Sequence, residues 1–302
     1  MRRLSLLTLL LSTCGLFAQP TPKSLLWRVS GKGAESPSYL YGTIHSRDER
    51  AFQFGDSVLP AMARCSIVAG ELDLEATRAS MAGLLGFMML PNDQRLEDLY
   101  RKKDWKLVDA ALKERFGPMA NMLFRMKPFY VMALMTEGGS TEGEGRQRML
   151  DDDLMERGRT NGQRVIGLET VQEQFKAMDA IPLKDQANML LQHVKGGEGA
   201  AQLDRMLEAY AQQDLDALFV VMGEKGGIPE AMEKALFTDR NLRMVHRLDS
   251  LIQRGEQVFF LVGAGHLPRT NGLVHLLRSR GYTVEPVFSV ATRREEEVEQ
   301  DR

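Results

Sequence analysis

The sequence predicts an α/β (α+β) fold: a sheet built from N- and C-terminal segments and covered by a helix-rich middle. Three observations carry this. Apolar, β-branched and aromatic runs cluster at 24–72 and return at 257–288. Between about 75 and 254 the apolar period is mostly helical, with one more strand-like run at 163–168. Two of the strand-like runs, far apart in the chain, end in the same way. Tyr39-Leu40-Tyr41-Gly42-Thr43-Ile44-His45 and Phe260-Leu261-Val262-Gly263-Ala264-Gly265-His266 both leave a strand through Gly-x-x-His. A sheet made from the two ends must bury its faces, and the helices between are the only cover available.

The first 18 residues stand outside the fold. Arg2 and Arg3 precede an apolar stretch from Leu4 to Phe17, and Ala18-Gln19-Pro20 ends it. This is the pattern of a secretory signal peptide cleaved after Ala18, too short to span a bilayer comfortably. Its removal leaves 37 basic against 41 acidic side chains, a net charge of −4. The expected location is the periplasm or outside the cell. A competing reading makes Leu11-Ser12-Thr13-Cys14 a lipoprotein box with Cys14 lipidated, which Thr13 fits poorly.

The remaining elements follow in order. Runs at 24–29 and 38–43 flank a loop containing Gly31, Gly33 and Pro37, which reads as a β-hairpin. A short helix is expected over 54–64 and a third strand over 67–72. Residues 81–90 are apolar nearly all round. Over 96–116 an amphipathic helix is expected to bury Leu96, Leu99, Trp105, Leu107, Val108 and Leu112, and Gly117-Pro118 stops it. A helix over 119–135 should break near Lys127-Pro128, because proline disfavours a helical residue before it. Many of the 18 methionines fall here, and they read as a pliable helical core. The polar, glycine-rich stretch 138–146 reads as a lid or linker. Helices are expected over 148–159, 171–178, 185–194, 200–212, 214–222 and 238–254, the last led in from 230–236. Strands are expected over 163–168, 257–262 and 283–288, and a final helix over 273–280. One domain thus spans 19–290, and the charged stretch 291–302 reads as a disordered tail.

Composition excludes some functions. Charged residues are 26% of the chain and the formal net charge is −2, with no basic stripe, so nucleic acid is not an expected partner. Of the two cysteines, Cys14 leaves with the leader, so Cys65 has no intrachain partner and reads as a buried structural residue. There is no Gly-x-Ser-x-Gly elbow and no His-Glu-x-x-His.

Of the five histidines, His193, His246 and His275 fall within expected helices and read as solvated or capping groups. His45 and His266 each follow a strand and a glycine turn. Glu71 ends the third strand and Glu169 the fourth. Two imidazoles and two carboxylates at four strand ends are the inventory for a mixed metal site, with a spare carboxylate as general base. Such a metal would activate water and polarise a carbonyl.

Taken in order, Tyr41-Gly42-Thr43-Ile44-His45, Gly70-Glu71, Gly167-Leu168-Glu169-Thr170 with Gln174, and Val262-Gly263-Ala264-Gly265-His266-Leu267-Pro268 resemble the TraB/GumN family. Lys127-Pro128-Phe129, Asp151 with Leu154, and Asp239-Arg240-Asn241 agree with it. The family is related to the TIKI metalloproteases and more distantly to erythromycin esterases and haem-binding ChaN-like proteins. The resemblance covers about residues 24–288. It implies a divalent-metal-dependent hydrolase, a peptidase, using manganese, cobalt or zinc. His45 and His266 would be ligands, Glu71 a ligand or base, and Glu169 a ligand or a group orienting a histidine. Arg240 would bind a carboxylate or stabilise an oxyanion. Where the family usually has glycine after His-Leu-Pro, this chain has Arg269. The alternative is a non-catalytic protein that sequesters a peptide or a haem-like ligand. A small-molecule ester is a further substrate class left open.

Overall fold

The computed structural model of the protein describes residues 22–73, 75, 85–137, 146, 148–196, 199–223 and 229–289. The expected leader with Cys14, most of the 138–146 stretch, part of 81–90 and the charged tail lie outside the described residues.

Six strands form one mixed sheet: β1 (Leu26–Ser30), β2 (Ser38–Thr43), β3 (Ile67–Gly70), β4 (Arg164–Gly167), β5 (Val258–Gly263) and β6 (Thr283–Pro286). Their order across the sheet is β4-β3-β5-β2-β1-β6. Strands β4, β3, β5 and β2 run parallel, while β1 is antiparallel to both β2 and β6. The late strand β5 thus inserts between β3 and β2. Its Val258-Phe259-Phe260-Leu261 is buried throughout, so both faces of the sheet are covered there. Central parallel strands read as unbroken apolar runs for this reason.

The principal helices are α1 (Val58–Ala63), α2 (Lys102–Phe116), α3 (Pro128–Glu137), α4 (Leu150–Thr160), α5 (Val171–Asp179), α6 (Leu183–Gly196), α7 (Gly199–Ala211), α8 (Leu215–Met222), α9 (Asp239–Gln253) and α10 (Leu273–Ser279). Leu150 and Leu154 of α4, Tyr210 of α7, Leu218 of α8, Met244 and Leu248 of α9 and Leu277 of α10 pack into the sheet core. A second apolar cluster lies away from the sheet and joins Leu96, Val108, Leu112, Phe124 and Val131 to Leu190 and Leu191. No helix among the described residues is long and apolar enough to cross a membrane.

One expectation needs correction. The 96–116 helix is a short 3-10 turn, Leu96–Leu99, followed by an extended Tyr100 and Arg101 and then α2. The restart changes the phase, so Val108 and Leu112 are buried while Leu107 is exposed. Gly42 lies within β2 and serves for close approach, since its φ is not positive. A Cβ there would lie 2.8 Å from Leu267 Cδ1 and 3.2 Å from Ala264 Cα. The break at Pro128 stands as expected: Pro128 opens α3. Cys65 is buried and free, and burial pushes its thiol up to about 12.

Candidate active site

Because β2, β3, β4 and β5 are parallel, their carboxyl ends lie along one edge of the sheet. Open α/β sheets bind ligands at that edge. His45, Glu71, Glu169 and His266 all come just after those ends. Thr43 pairs with Gly263, so the two Gly-x-x-His segments leave neighbouring strands side by side. Gly70 pairs with Gly167, and the ladder continues beyond them: Leu168 N–H bonds Gly70 O at 2.7 Å and Glu169 N–H bonds Glu71 O at 2.8 Å. Glu169 is thereby set beside Glu71.

His266 is buried against Phe237, with ring centroids 5.3 Å apart. Its Nδ1 lies 2.6 Å from Asn241 Oδ1. The amide of Asn241 cannot turn round freely, because its Nδ2 donates to Asn271 O at 2.7 Å. Nδ1 of His266 is therefore the protonated nitrogen and Nε2 carries the free lone pair. Burial pushes the His266 pKa down to about 4, so the ring is neutral near pH 7. Its Nε2 stands 3.6 Å from Glu71 Oε1.

Glu71 is held on both oxygens. Gly263 N–H donates to Oε1 at 2.7 Å, and Arg240 Nη2 donates to Oε2. Burial by itself raises a carboxyl pKa. Here the charges of His266, Arg240 and His45 and the Gly263 amide outweigh it and hold Glu71 far below the usual carboxylate range.

Arg240 also joins Glu71 to Glu169. Its Nε and Nη2 donate to Glu169 Oε2 at 2.8 and 2.6 Å, while Arg243 Nη2 reaches Glu169 Oε1 at 3.3 Å. Gln174 Nε2 lies 3.4 Å from both Glu71 Oε2 and Glu169 Oε2. The carboxylates that Arg240 binds are thus the protein's own.

A local irregularity aims these groups. The residues before α9, Lys234–Thr238, form one wide turn in which Asp239 N–H bonds Lys234 O, five residues back. Such turns insert one residue into a helix and recur at functional sites. On α9, Arg240 and Asn241 then continue the buried stripe of Met244, Val245, Leu248, Leu251 and Ile252. A polar pair in an apolar stripe was a visible signal for Asn241, whose part in orienting His266 the sequence reading missed.

His45 is different. Its side chain is 61% exposed, and its Nδ1 lies 2.5 Å from Asp151 Oδ2 on α4. Attraction to Asp151 raises its pKa to about 9, a pull that the surrounding solvent screens. Glu71 acts on both His45 and His266, and both rings act on it. The remaining histidines lie on α6, α9 and α10, outside this edge group.

The matching family model, TraB/PrgY/gumN, covers residues 25–286. The chain belongs to the TraB/PrgY/gumN family. Among curated relatives of this family member, Metalloprotease TIKI2 of Danio rerio is 26% identical, over 89% of this chain and 62% of its own. A Metalloprotease TIKI homolog of Nematostella vectensis is 24% identical, over 87% of this chain and 67% of its own. Metalloprotease TIKI1 of Homo sapiens is 24% identical, over 87% and 61%. The chain therefore spans about three fifths to two thirds of the length of these relatives. No solved structure matches it.

The relatives' names raise the question of a metal. Among the described residues, no group of three or more His, Cys, Asp or Glu side chains is gathered closely enough to hold an ion. The donor chemistry nonetheless fits at two positions. Two ligands about 2.1 Å from one ion, at a tetrahedral angle, stand about 3.4 Å apart. His266 Nε2 and Glu71 Oε1, at 3.6 Å, are close to that separation.

Proposed function

We propose that this protein is an exported, divalent-metal-dependent hydrolase acting on peptides. The observation that carries the reading is the chain Asn241–His266–Glu71. A buried, neutral imidazole has its Nδ1–H anchored by an amide, and its bare Nε2 faces an ionised carboxylate. Anchoring of the non-ligating nitrogen is characteristic of metal-bound histidine. The relatives' common name, metalloprotease, points the same way.

In this reading His266 and Glu71 would hold the ion, and His45 would be drawn in from the neighbouring strand as a third donor, since no three such side chains among the described residues stand close enough as they are. When bound, manganese, cobalt or zinc would supply a Lewis acid and lower the pKa of a bound water. Gly263 N–H fixes Glu71 Oε1 in place. Arg240 keeps Glu71 ionised and ties it to Glu169. Glu169, with its oxygens turned to Arg240 and Arg243, acts as the counter-charge behind the site.

The test is calorimetric titration of the purified protein with Mn²⁺, Co²⁺ and Zn²⁺, alongside cleavage of a peptide library. His266→Ala should abolish both binding and cleavage. Asn241→Leu should weaken metal binding about 10- to 100-fold, the usual cost of losing such an anchor. Absence of binding for all three metals would sink the proposal. Tight peptide binding with the peptide recovered intact would place the protein among non-catalytic binders.

A further inference from the structure

Building on that reading, we propose that Asp151 is a positioning residue for His45: its carboxylate accepts the Nδ1–H, so that Nε2 is the nitrogen left for a ligand at the sheet edge. Neither strand pairing nor core packing could do this. His45 lies two residues beyond Thr43, the last paired residue of β2, and its side chain is 61% exposed. An unrestrained imidazole exchanges between tautomers and rotamers.

Asp151 is placed with far more precision than a surface carboxylate. It is the second residue of α4, and the buried Leu150 and Leu154 on either side of it anchor that helix in the sheet core. The His45 segment is fastened to the same helix start. Leu150 N–H bonds Ser46 O at 3.2 Å, and Arg146 N–H bonds Arg47 O at 3.0 Å. On the other side, the buried Tyr210 hydroxyl donates to Gly42 O at 2.8 Å and pins the exit of β2. The Nδ1 to Oδ2 distance of 2.5 Å is thus set by two anchored backbones. The other oxygen, Asp151 Oδ1, is buried and has no hydrogen-bond partner among the described residues, so none of them draws the carboxylate away from His45.

The arrangement repeats the one around His266. Each Gly-x-x-His segment delivers an imidazole, and an early residue of a separate helix offers an oxygen to its Nδ1: Asp151 on α4 and Asn241 on α9. Both acceptors hold the Nδ1–H, so that in each ring Nε2 is the nitrogen left for a ligand. The carboxylate additionally raises the basicity of the ring it holds, which an amide does not.

The experiment compares Asp151→Ala and Asp151→Asn with the native protein. Long-range ¹H–¹⁵N spectra of ¹⁵N-histidine-labelled, metal-free protein identify the His45 signals by their loss in His45→Gln. In the native protein Nδ1 should appear protonated and hydrogen-bonded. Asp151→Ala should lose that proton signal to exchange, with circular dichroism unchanged. Asp151→Asn should retain it, because an amide oxygen serves at His266. Affinity for Co²⁺ should fall about 10- to 100-fold in Asp151→Ala and be largely rescued in Asp151→Asn. An unchanged His45 signal in a folded Asp151→Ala protein overturns the inference, as does loss of the signal in Asp151→Asn to the same extent. If the native protein binds no metal, the hydrolase reading fails while the spectra still decide the role of Asp151.

Discussion

Replacing Arg240 by methionine should be among the most damaging single changes in this protein, and the reason lies in what it leaves behind. The side chains of Arg240, Glu71 and Glu169 are 9%, 11% and 0% exposed. An exposed ion pair at these distances would contribute about 0–1 kcal/mol. Here the guanidinium is the shared partner of two carboxylates that are largely withdrawn from water. Methionine fills much of the volume but leaves two like charges side by side. Removing one partner of a buried pair costs roughly 3–5 kcal/mol. At about 2 °C per kcal/mol for a protein of this size, the midpoint of thermal unfolding should fall by about 6–10 °C. Urea denaturation of the native protein, Arg240→Met, Glu169→Gln and the double variant closes a cycle. The double variant should be clearly more stable than the sum of the two single losses predicts, because it leaves no orphaned charge at Glu169. An Arg240→Met protein within about 1 kcal/mol of native would refute the argument, by the scale of an exposed pair. Additive single effects would do the same.

Three other perturbations test separate parts of the structure. Gly42→Ala sets a methyl 2.8 Å from Leu267 Cδ1 and 3.2 Å from the Ala264 backbone, and Leu267 is fully buried, so chemical denaturation should show a loss of about 1–3 kcal/mol. A loss within experimental error would mean that the Ala264–His266 turn is not tightly seated on β2. Arg269 adopts φ +73°, the region that favours glycine, and its guanidinium lies over the Phe219 ring at 4.6 Å. Arg269→Gly should be about 1 kcal/mol more stable than Arg269→Ala, since both lose the ring contact and only alanine keeps the strain. Equal stability of the two would exclude that strain. Glu173 accepts hydrogen bonds from Arg247, which with the Thr170 amide lower its pKa from 4.5 to about 2. A depressed folded-state pKa adds stability above the unfolded value and loses it as pH falls through the folded one. The stability gap between native protein and Glu173→Gln should therefore be full above about pH 4.5 and shrink towards pH 2. A gap that does not vary with pH would show that the charge of Glu173 contributes nothing.

Much of the fold was legible because each strand carries its own local pattern. The unbroken apolar run of β5 and the punctuated hairpin of β1 and β2 are readable without any knowledge of partners. The proline that opens α3 is equally local. What failed was phase. Leu107 fits the helical stripe only if one helix runs from Leu96, and the extended Tyr100 and Arg101 reset the count. Gly42 was visible as the glycine before His45, but the groups its missing side chain admits, Leu267 and Ala264, were not. Contacts between residues more than two hundred positions apart leave no periodic trace in either segment.

The sequence by itself determined that His45, Glu71, Glu169 and His266 each follow a strand. A β-prone run and the residue after it are set by nearest neighbours along the chain. Only the tertiary structure decided that the four strands run parallel, which brings their ends to a single edge, and that β5 lies between β3 and β2. It alone decided how the charges are shared: Arg240 spans Glu71 and Glu169, Asn241 holds His266, and Asp151 holds His45. Those partners lie 25 to 169 residues apart in the chain. Their pairing follows from a requirement the linear pattern does not record: a buried charge or ring nitrogen must find its counterpart wherever the fold delivers one.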